Sequence, residues 1–149
     1  MNWDFEKIDT RELLPQQPPF VMVDKLMHFD ETVTTTTFEV RADNIFVDDG
    51  TLNACALAEN IAQTCATRLG FVNKYILKRA IQLGFIGSIR NMQVMRTPSV
   101  GEKLTTTITV REQIMGLTLV DATILVEEET IVTAEMKIAL SDQEMPLQQ

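Results

Sequence analysis

The sequence predicts an α+β domain in which a curved antiparallel sheet of about six strands wraps around one central helix. Three observations carry that expectation: small and apolar residues spaced for a helix between 52 and 69, four successive strand-like stretches from 82 to 140, and links between those stretches too short for parallel crossovers. The chain has 149 residues, 45% of them hydrophobic and 23% charged. That is enough for one core and too little for two ordinary domains, so a single domain over residues 1–149 is expected, with a loose tail over 143–149.

Residues 1–13 read as a poorly patterned lead-in. The segment Leu14-Pro15-Gln16-Gln17-Pro18-Pro19-Phe20 then imposes an extended turn, because each proline fixes its own φ and restricts the residue before it. Phe20 to Phe29 is strand-like, and after Asp30-Glu31 the stretch Thr32 to Val40, with five threonines and two valines, completes a hairpin. Asn44 to Gly50 is a loop. From Leu52 to Leu69 five alanines favour helix, and Leu57, Ile61, Cys65 and Leu69 repeat down one side. Small or apolar groups cover most of its circumference, the pattern of a helix enclosed by protein. Gly70 is the expected end signal, with a second short helix over Phe71–Ala80. The remaining strands are expected at Gln82–Arg96, Glu102–Met115, Leu117–Glu127 and Ile131–Leu140, separated by Pro98-Ser99-Val100-Gly101, Gly116 and Glu127-Glu128-Glu129. The sheet keeps open edges, which a second copy would cover, so a dimer is expected.

Net charge is −8, which disfavours nucleic acid and anionic lipid as partners. The average hides a segregation. Residues 60–101 carry Arg68, Lys74, Lys78, Arg79, Arg90 and Arg96 and no acid, so this stretch is +6 and the remainder −14. It is either a docking surface for an acidic partner or an ordinary solvated face. No apolar run reaches membrane-spanning length, and the amino terminus lacks the pattern of a secretory signal. Cys55 and Cys65 stand about 15 Å apart along one helix, too far to pair. With no disulfide framework and no His/Cys cluster, a cytoplasmic protein without a zinc site is expected.

Within the enclosed helix, Glu59, Gln63 and Thr67 recur at four-residue intervals and form one polar stripe. A carboxylate among apolar side chains is paired, protonated or functional. Burial would raise its pKa and keep it able to donate a proton near neutrality; the alternative is a structural bridge to Arg68 or another cation.

These residues resemble a known family, the (3R)-hydroxyacyl-acyl-carrier-protein dehydratases, which have the hotdog fold. Glu59-Asn60-Ile61-Ala62-Gln63 is similar to the family's Glu-x-x-Ala-Gln helix segment. Leu14 to Phe20, followed by Val23-Asp24-Lys25-Leu26, resembles its Leu-Pro-His-x-x-Pro-Phe opening and Val-Asp-Arg segment. Phe85-Ile86-Gly87-Ser88-Ile89, followed by Arg96-Thr97-Pro98-Ser99-Val100-Gly101-Glu102-Lys103-Leu104, resembles its strand-turn-strand with a Pro-Val-x-Pro-Gly-Asp-x-Leu turn.

The resemblance implies an apolar tunnel at a dimer interface that admits an acyl chain on phosphopantetheine, with no other cofactor. It implies Glu59 as the catalytic acid and Gln63, Gly50 and Gly87 as substrate contacts. The family's catalytic histidine lies in a His-Phe-Pro-Gly loop before the helix, where this chain has Phe46-Val47-Asp48-Asp49-Gly50, and Gln16 replaces the opening histidine. The Asp-Gly loop resembles a divergent branch associated with aryl polyene pigment clusters. There Asp49, or Asp48, is the candidate to stand in for histidine as the base, or else a loop acid capping the helix. The single histidine, His28, matches neither family position and reads as a partly exposed strand residue. Backbone N–H groups at the helix start would polarise the thioester carbonyl. The partner implied is an acyl carrier protein, or coenzyme A as the alternative carrier, with the six basic residues docking it. The leading expectation is a 3-hydroxyacyl thioester dehydratase, a lyase of fatty-acid or related acyl biosynthesis. A non-catalytic carrier-binding subunit of a mixed dimer and a hotdog thioesterase are the alternatives.

Overall fold

The structure, a computed structural model, describes residues 3–144. Strands β1 (Lys25–Phe29), β2 (Val33–Glu39), β5 (Gln82–Val94), β6 (Lys103–Ile114), β7 (Leu117–Val126) and β8 (Glu129–Glu144) form one antiparallel sheet in the order β1-β2-β6-β7-β8-β5. A two-residue ladder joins β3 (Val47–Asp48) to β4 (Thr51–Leu52), and α1 spans Ala54–Phe71. This is the expected α+β hotdog architecture, a six-stranded sheet around one helix. None of the described helices is long and apolar enough to cross a membrane.

Strict alternation builds the core. Along β7, on β6 as far as Ile108 and on β8 from Val132 to Ile138, every second residue is buried, including Leu104, Ile108, Val120, Ile124, Val132, Ala134 and Met136, and these pack against Ala56, Leu57, Ile61 and Cys65 of α1. A second, aromatic cluster closes the far end of the helix. Phe71 is fully buried among Leu13, Leu26, Trp3, Phe5, Phe29 and Tyr75. The lead-in therefore has a structural task its weak pattern conceals: two single turns, Phe5–Lys7 and Thr10–Glu12, lay it against that end.

Four expectations are corrected. The first strand begins at Lys25 rather than Phe20, because the backbone groups of Phe20 and Met22 are engaged by helix side chains instead of a neighbouring strand. Gly70 does not end the helix. It is buried inside it, where a Cβ would stand 2.1 Å from the carbonyl oxygen of Leu13, so the glycine permits the lead-in to touch the helix. The helix continues directly into a π-helical turn, Val72–Ile76, and the chain from Arg79 to Ile81 is irregular, so no separate helix spans 71–80. Finally, β8 reaches Glu144 and takes in the first two residues of the expected loose tail; 145–149 lie outside the described residues.

Candidate functional site

The polar stripe on α1 sorts into two roles. Gln63 is fully buried and uses its whole amide: its oxygen accepts from Met22 N at 2.6 Å, and its nitrogen donates to Phe20 O and to Glu59 Oε1, each at 2.8 Å. Asn60, one turn away, donates to Met22 O at 2.7 Å and accepts from Thr106 Oγ1 at 2.5 Å. Thr64 bridges Asn60 O to Thr36 Oγ1, and Thr67 donates to Gln63 O. Buried amides are costly unless every group is paired, and here the pairing fixes the post-proline segment and two strands onto the helix.

Glu59 is half-buried, not sealed in apolar protein, so the strongest desolvation falls on its neighbours Asn60 and Gln63. Its carboxylate is held by Gln63 rather than by Arg68, and among the described residues Arg68 makes no ion pair. Glu59 lines a cavity of about 280 Å³ between α1 and the sheet. Ala62, Cys65, Ala66, Arg68 and Leu69 supply its helix wall; Gly84, Phe85 and Ile86 of β5 and Ile108, Val120, Ile138 and Leu140 of the sheet supply the other, and Pro15 and Gln16 edge it. Burial pushes the Cys65 thiol up to about 12, so it remains a neutral wall group. Among the described residues Glu59 is the sole carboxylate in this lining, set in a largely aliphatic slot with two small alanines beside it. Such an arrangement suits a chain-like apolar ligand with a reacting centre near one acid.

The other expected residues are dispersed. Asp48 and Asp49 sit on the exposed tip of the β3-β4 hairpin, where Asp49 (φ 49°) and Gly50 (φ 80°) form the turn, and none of the three lines the cavity within this chain. The helix start is capped by Asn53, whose side chain accepts from Cys55 N at 2.7 Å, so neither aspartate caps it. Ala54 and Cys55, the first residues of α1, are likewise outside the cavity wall. Gly87 lies at a register slip between β5 and β8, and Gly84 is the β5 glycine that borders the cavity. His28 is exposed on β1, the sheet edge opposite β5, and bonds Asp30 Oδ2 at 2.7 Å. Sequence reasoning missed Cys65 and Ala66 as cavity wall, although helical spacing of small residues around Glu59 was the available signal, and it missed Gly84 of β5, to which that spacing does not extend.

The basic stretch also separates. Arg68 is half-buried in the cavity wall. Arg96 is clamped by Glu102 (2.7 Å) and Glu129 (2.9 Å), both of which raise its pKa. Lys74 pairs with Glu12 at 2.6 Å, and Arg79 donates to Asn73 at 2.9 Å. Lys78, Arg79 and Arg90 are exposed. Beside Lys78 lie exposed Ile76 and Leu77, and β5, a thirteen-residue edge strand, exposes Phe85, Ile86, Ile89 and Val94.

Comparison with known proteins agrees with this architecture. The model of a family named ApeP-like and described as ApeP dehydratase matches residues 8–148. No curated protein sequence matches the chain significantly. Among solved structures, the dehydratase heterocomplex ApeI:P from Xenorhabdus doucetiae superposes with a TM-score of 0.86 at 18% identity, over 91% of this chain and 93% of that one. A hypothetical thioesterase with coenzyme A from Streptococcus pneumoniae TIGR4 gives 0.61 at 12% identity, over 80% and 87%. The smu.793 protein from Streptococcus mutans UA159 bound to acetyl CoA gives 0.65 at 12% identity, over 89% and 98%. At these identities the three structures establish a shared fold.

Proposed function

Since this chain belongs to the ApeP-like dehydratase family, we propose that it removes water from 3-hydroxyacyl thioesters carried on phosphopantetheine, with Glu59 as the catalytic acid. The observation that carries this reading is the Glu59 carboxyl group, presented by Gln63 to an apolar cavity. In the reaction a base takes the α proton, the released pair forms the Cα=Cβ bond, and the C3–O bond breaks as Glu59 passes its proton to the departing hydroxyl, giving water. Asp49 is the proposed base. Because its hairpin does not line the cavity of its own chain, this role requires a second hotdog chain to carry Asp49, with Gly50, onto the cavity. The exposed apolar residues of β5 support that association, since an unpaired edge strand beside the cavity mouth is a pairing surface. An identical partner is the first reading.

A second reading has a specific motive: the named neighbour from Xenorhabdus doucetiae is a heterocomplex, and this cavity holds no histidine. In it the chain supports a different, active hotdog partner. For either reading the carrier is an acyl carrier protein docked on Lys78, Arg79 and Arg90, the exposed cations of the basic stretch, and the setting is cytoplasmic acyl-chain biosynthesis. Coenzyme A, present in two of the neighbours, is the alternative carrier.

The test is product analysis by mass spectrometry after incubating the pure protein with 3-hydroxyacyl carrier protein. Enoyl carrier with one water lost is the expected product. Free thiol without enoyl product would make the protein a thioesterase. Turnover that arises only when a second, different hotdog chain is added would establish the mixed-dimer reading.

A further inference from the structure

The outer face of the sheet, turned away from α1, changes character along its strands. Directly paired residues share a face, and the row Ile86, Ile138, Thr118 and Gln113 lines the cavity, so the rows on either side of it point outward. Near the middle of the sheet an outward row reads Thr107, Thr123 and Thr133, ordinary for a solvated face. At the end formed by the β6-β7 hairpin the outward row is apolar. Ile114, Leu117 and Ala139 stand side by side on β6, β7 and β8, with Leu119 one step along β7. Ile114 is 55% exposed, Leu117 43%, and Met115, at the hairpin tip, 97%. Apolar side chains gathered on the outer face of an antiparallel sheet mark a surface that something covers. Association through the β5 edge does not do so, because edge pairing extends the sheet sideways and leaves its outer face open.

The charges around this patch indicate its occupant. Glu112 on β6 and Lys137 on β8 flank Leu119 in one row, about 10 Å apart at two strand spacings, and all three line one shallow hollow with Ile114 and Leu117. Opposite charges set symmetrically about an apolar centre are self-complementary under a two-fold axis. We infer that this face is a second self-association surface, covered by the same face of another copy, with the two-fold axis running along β7 between the stacked sheets. That rotation lays β6 of one chain over β8 of the other. It sets Lys137 opposite the partner's Glu112 and Glu112 opposite the partner's Lys137, brings Leu117 and Leu119 onto their own copies, and places Ile114 over the partner's Ala139, large against small. Asp121, the next outward residue of β7, faces its own copy, and Arg111 neutralises it within each chain at 3.4 Å. A uniformly acidic partner or an anionic membrane fits less well, because Glu112, Asp121 and Glu135 share the face with Arg111 and Lys137. Combined with pairing through β5, this contact closes an assembly of four chains, and it is independent of the chemistry in the cavity.

The test counts chains in the full-length protein by light scattering after size-exclusion chromatography and by sedimentation velocity. The expected result is four chains for the wild type at about 100 μM and two for Leu117→Lys, with circular dichroism verifying the fold. Ile114→Lys, in the same row, serves if Leu117→Lys does not fold. Glu112→Lys, which sets lysine against the partner's Lys137, is expected to raise the concentration at which four chains fall to two by about ten-fold, and adding Lys137→Glu to it restores the wild-type midpoint. A wild type of two chains or fewer at every concentration up to about 100 μM overturns the second contact, as does a folded Leu117→Lys that keeps four chains. Failure of the double charge reversal to restore the midpoint overturns the two-fold arrangement along β7.

Discussion

The two flanks of α1 treat polar groups in opposite ways. On the flank facing the post-proline segment and strands β2 and β6, Asn60, Gln63, Thr64 and Thr67 are fully buried, and each makes specific hydrogen bonds. On the flank facing the cavity, Glu59 is half open, Arg68 has an enclosed nitrogen without a partner, and small residues leave space. The first flank is scaffold, because a satisfied buried network specifies one packing. The second is site, because it leaves an open volume beside a half-buried carboxylate. Gln63 belongs to both, since one nitrogen holds the loop and the carboxylate together.

That division is broken most severely at Gln63. Gln63→Leu is expected to strand the backbone groups of Phe20 and Met22, costing about 2–3 kcal/mol in urea unfolding, and to lower the dehydration rate of the folded fraction about 100-fold by freeing Glu59. Asn60→Leu touches the scaffold alone. It is expected to cost about 2 kcal/mol while the rate per folded molecule stays within about two-fold, measured by unfolding and active-site-normalised kinetics. Ala66→Leu touches the cavity alone; KM for long acyl chains rises about ten-fold with unfolding midpoints unchanged. If Ala66→Leu destabilises as much as Asn60→Leu, the two flanks are not distinct.

The smallest effect is expected far from both flanks. The Asp30 carboxyl is held down from 3.8 to about 2, first by the His28 side chain and then by the backbone N–H groups of Val33 and Thr32. A depressed carboxylate stabilises the fold fully above its unfolded value and loses that contribution as pH falls through about 2. Asp30→Asn is therefore expected to be slightly less stable near neutrality, with the gap to wild type closing in acid; a gap that widens in acid would contradict this. Catalysis should not respond.

Much of the fold was legible because alternation and helical spacing are local signals. The buried faces of β6, β7 and β8 and the enclosed helix followed from residues two or four apart. The first strand was misread because Phe20 and Met22 are bonded by Gln63, 43 and 41 residues away, a distance no local pattern reveals. Gly70 read as a stop because its real constraint, the carbonyl of Leu13, comes from an unpatterned lead-in. At the site, Glu59 stood out as a carboxylate on an apolar rod. Arg68 reads in the sequence as a carrier-docking residue or a bridge to Glu59 rather than as cavity wall, because nine residues put its Cα about half a turn from Glu59 on an ideal helix, and only the reach of its side chain brings it to the same cavity. Whether Asp49 and Glu59 meet depends on a second chain, which no single sequence pattern encodes.

The central claim is that Glu59, and no histidine, performs the acid step. The direct measurement is the initial rate of enoyl formation from one 3-hydroxyacyl carrier by wild type, Glu59→Gln and His28→Ala, each verified as folded. Glu59→Gln keeps an oxygen for Gln63 to bond, so stability should hold while the rate falls about 100-fold or more, and His28→Ala should match wild type. Equal rates for wild type and Glu59→Gln, or a collapse on losing His28, would contradict the account.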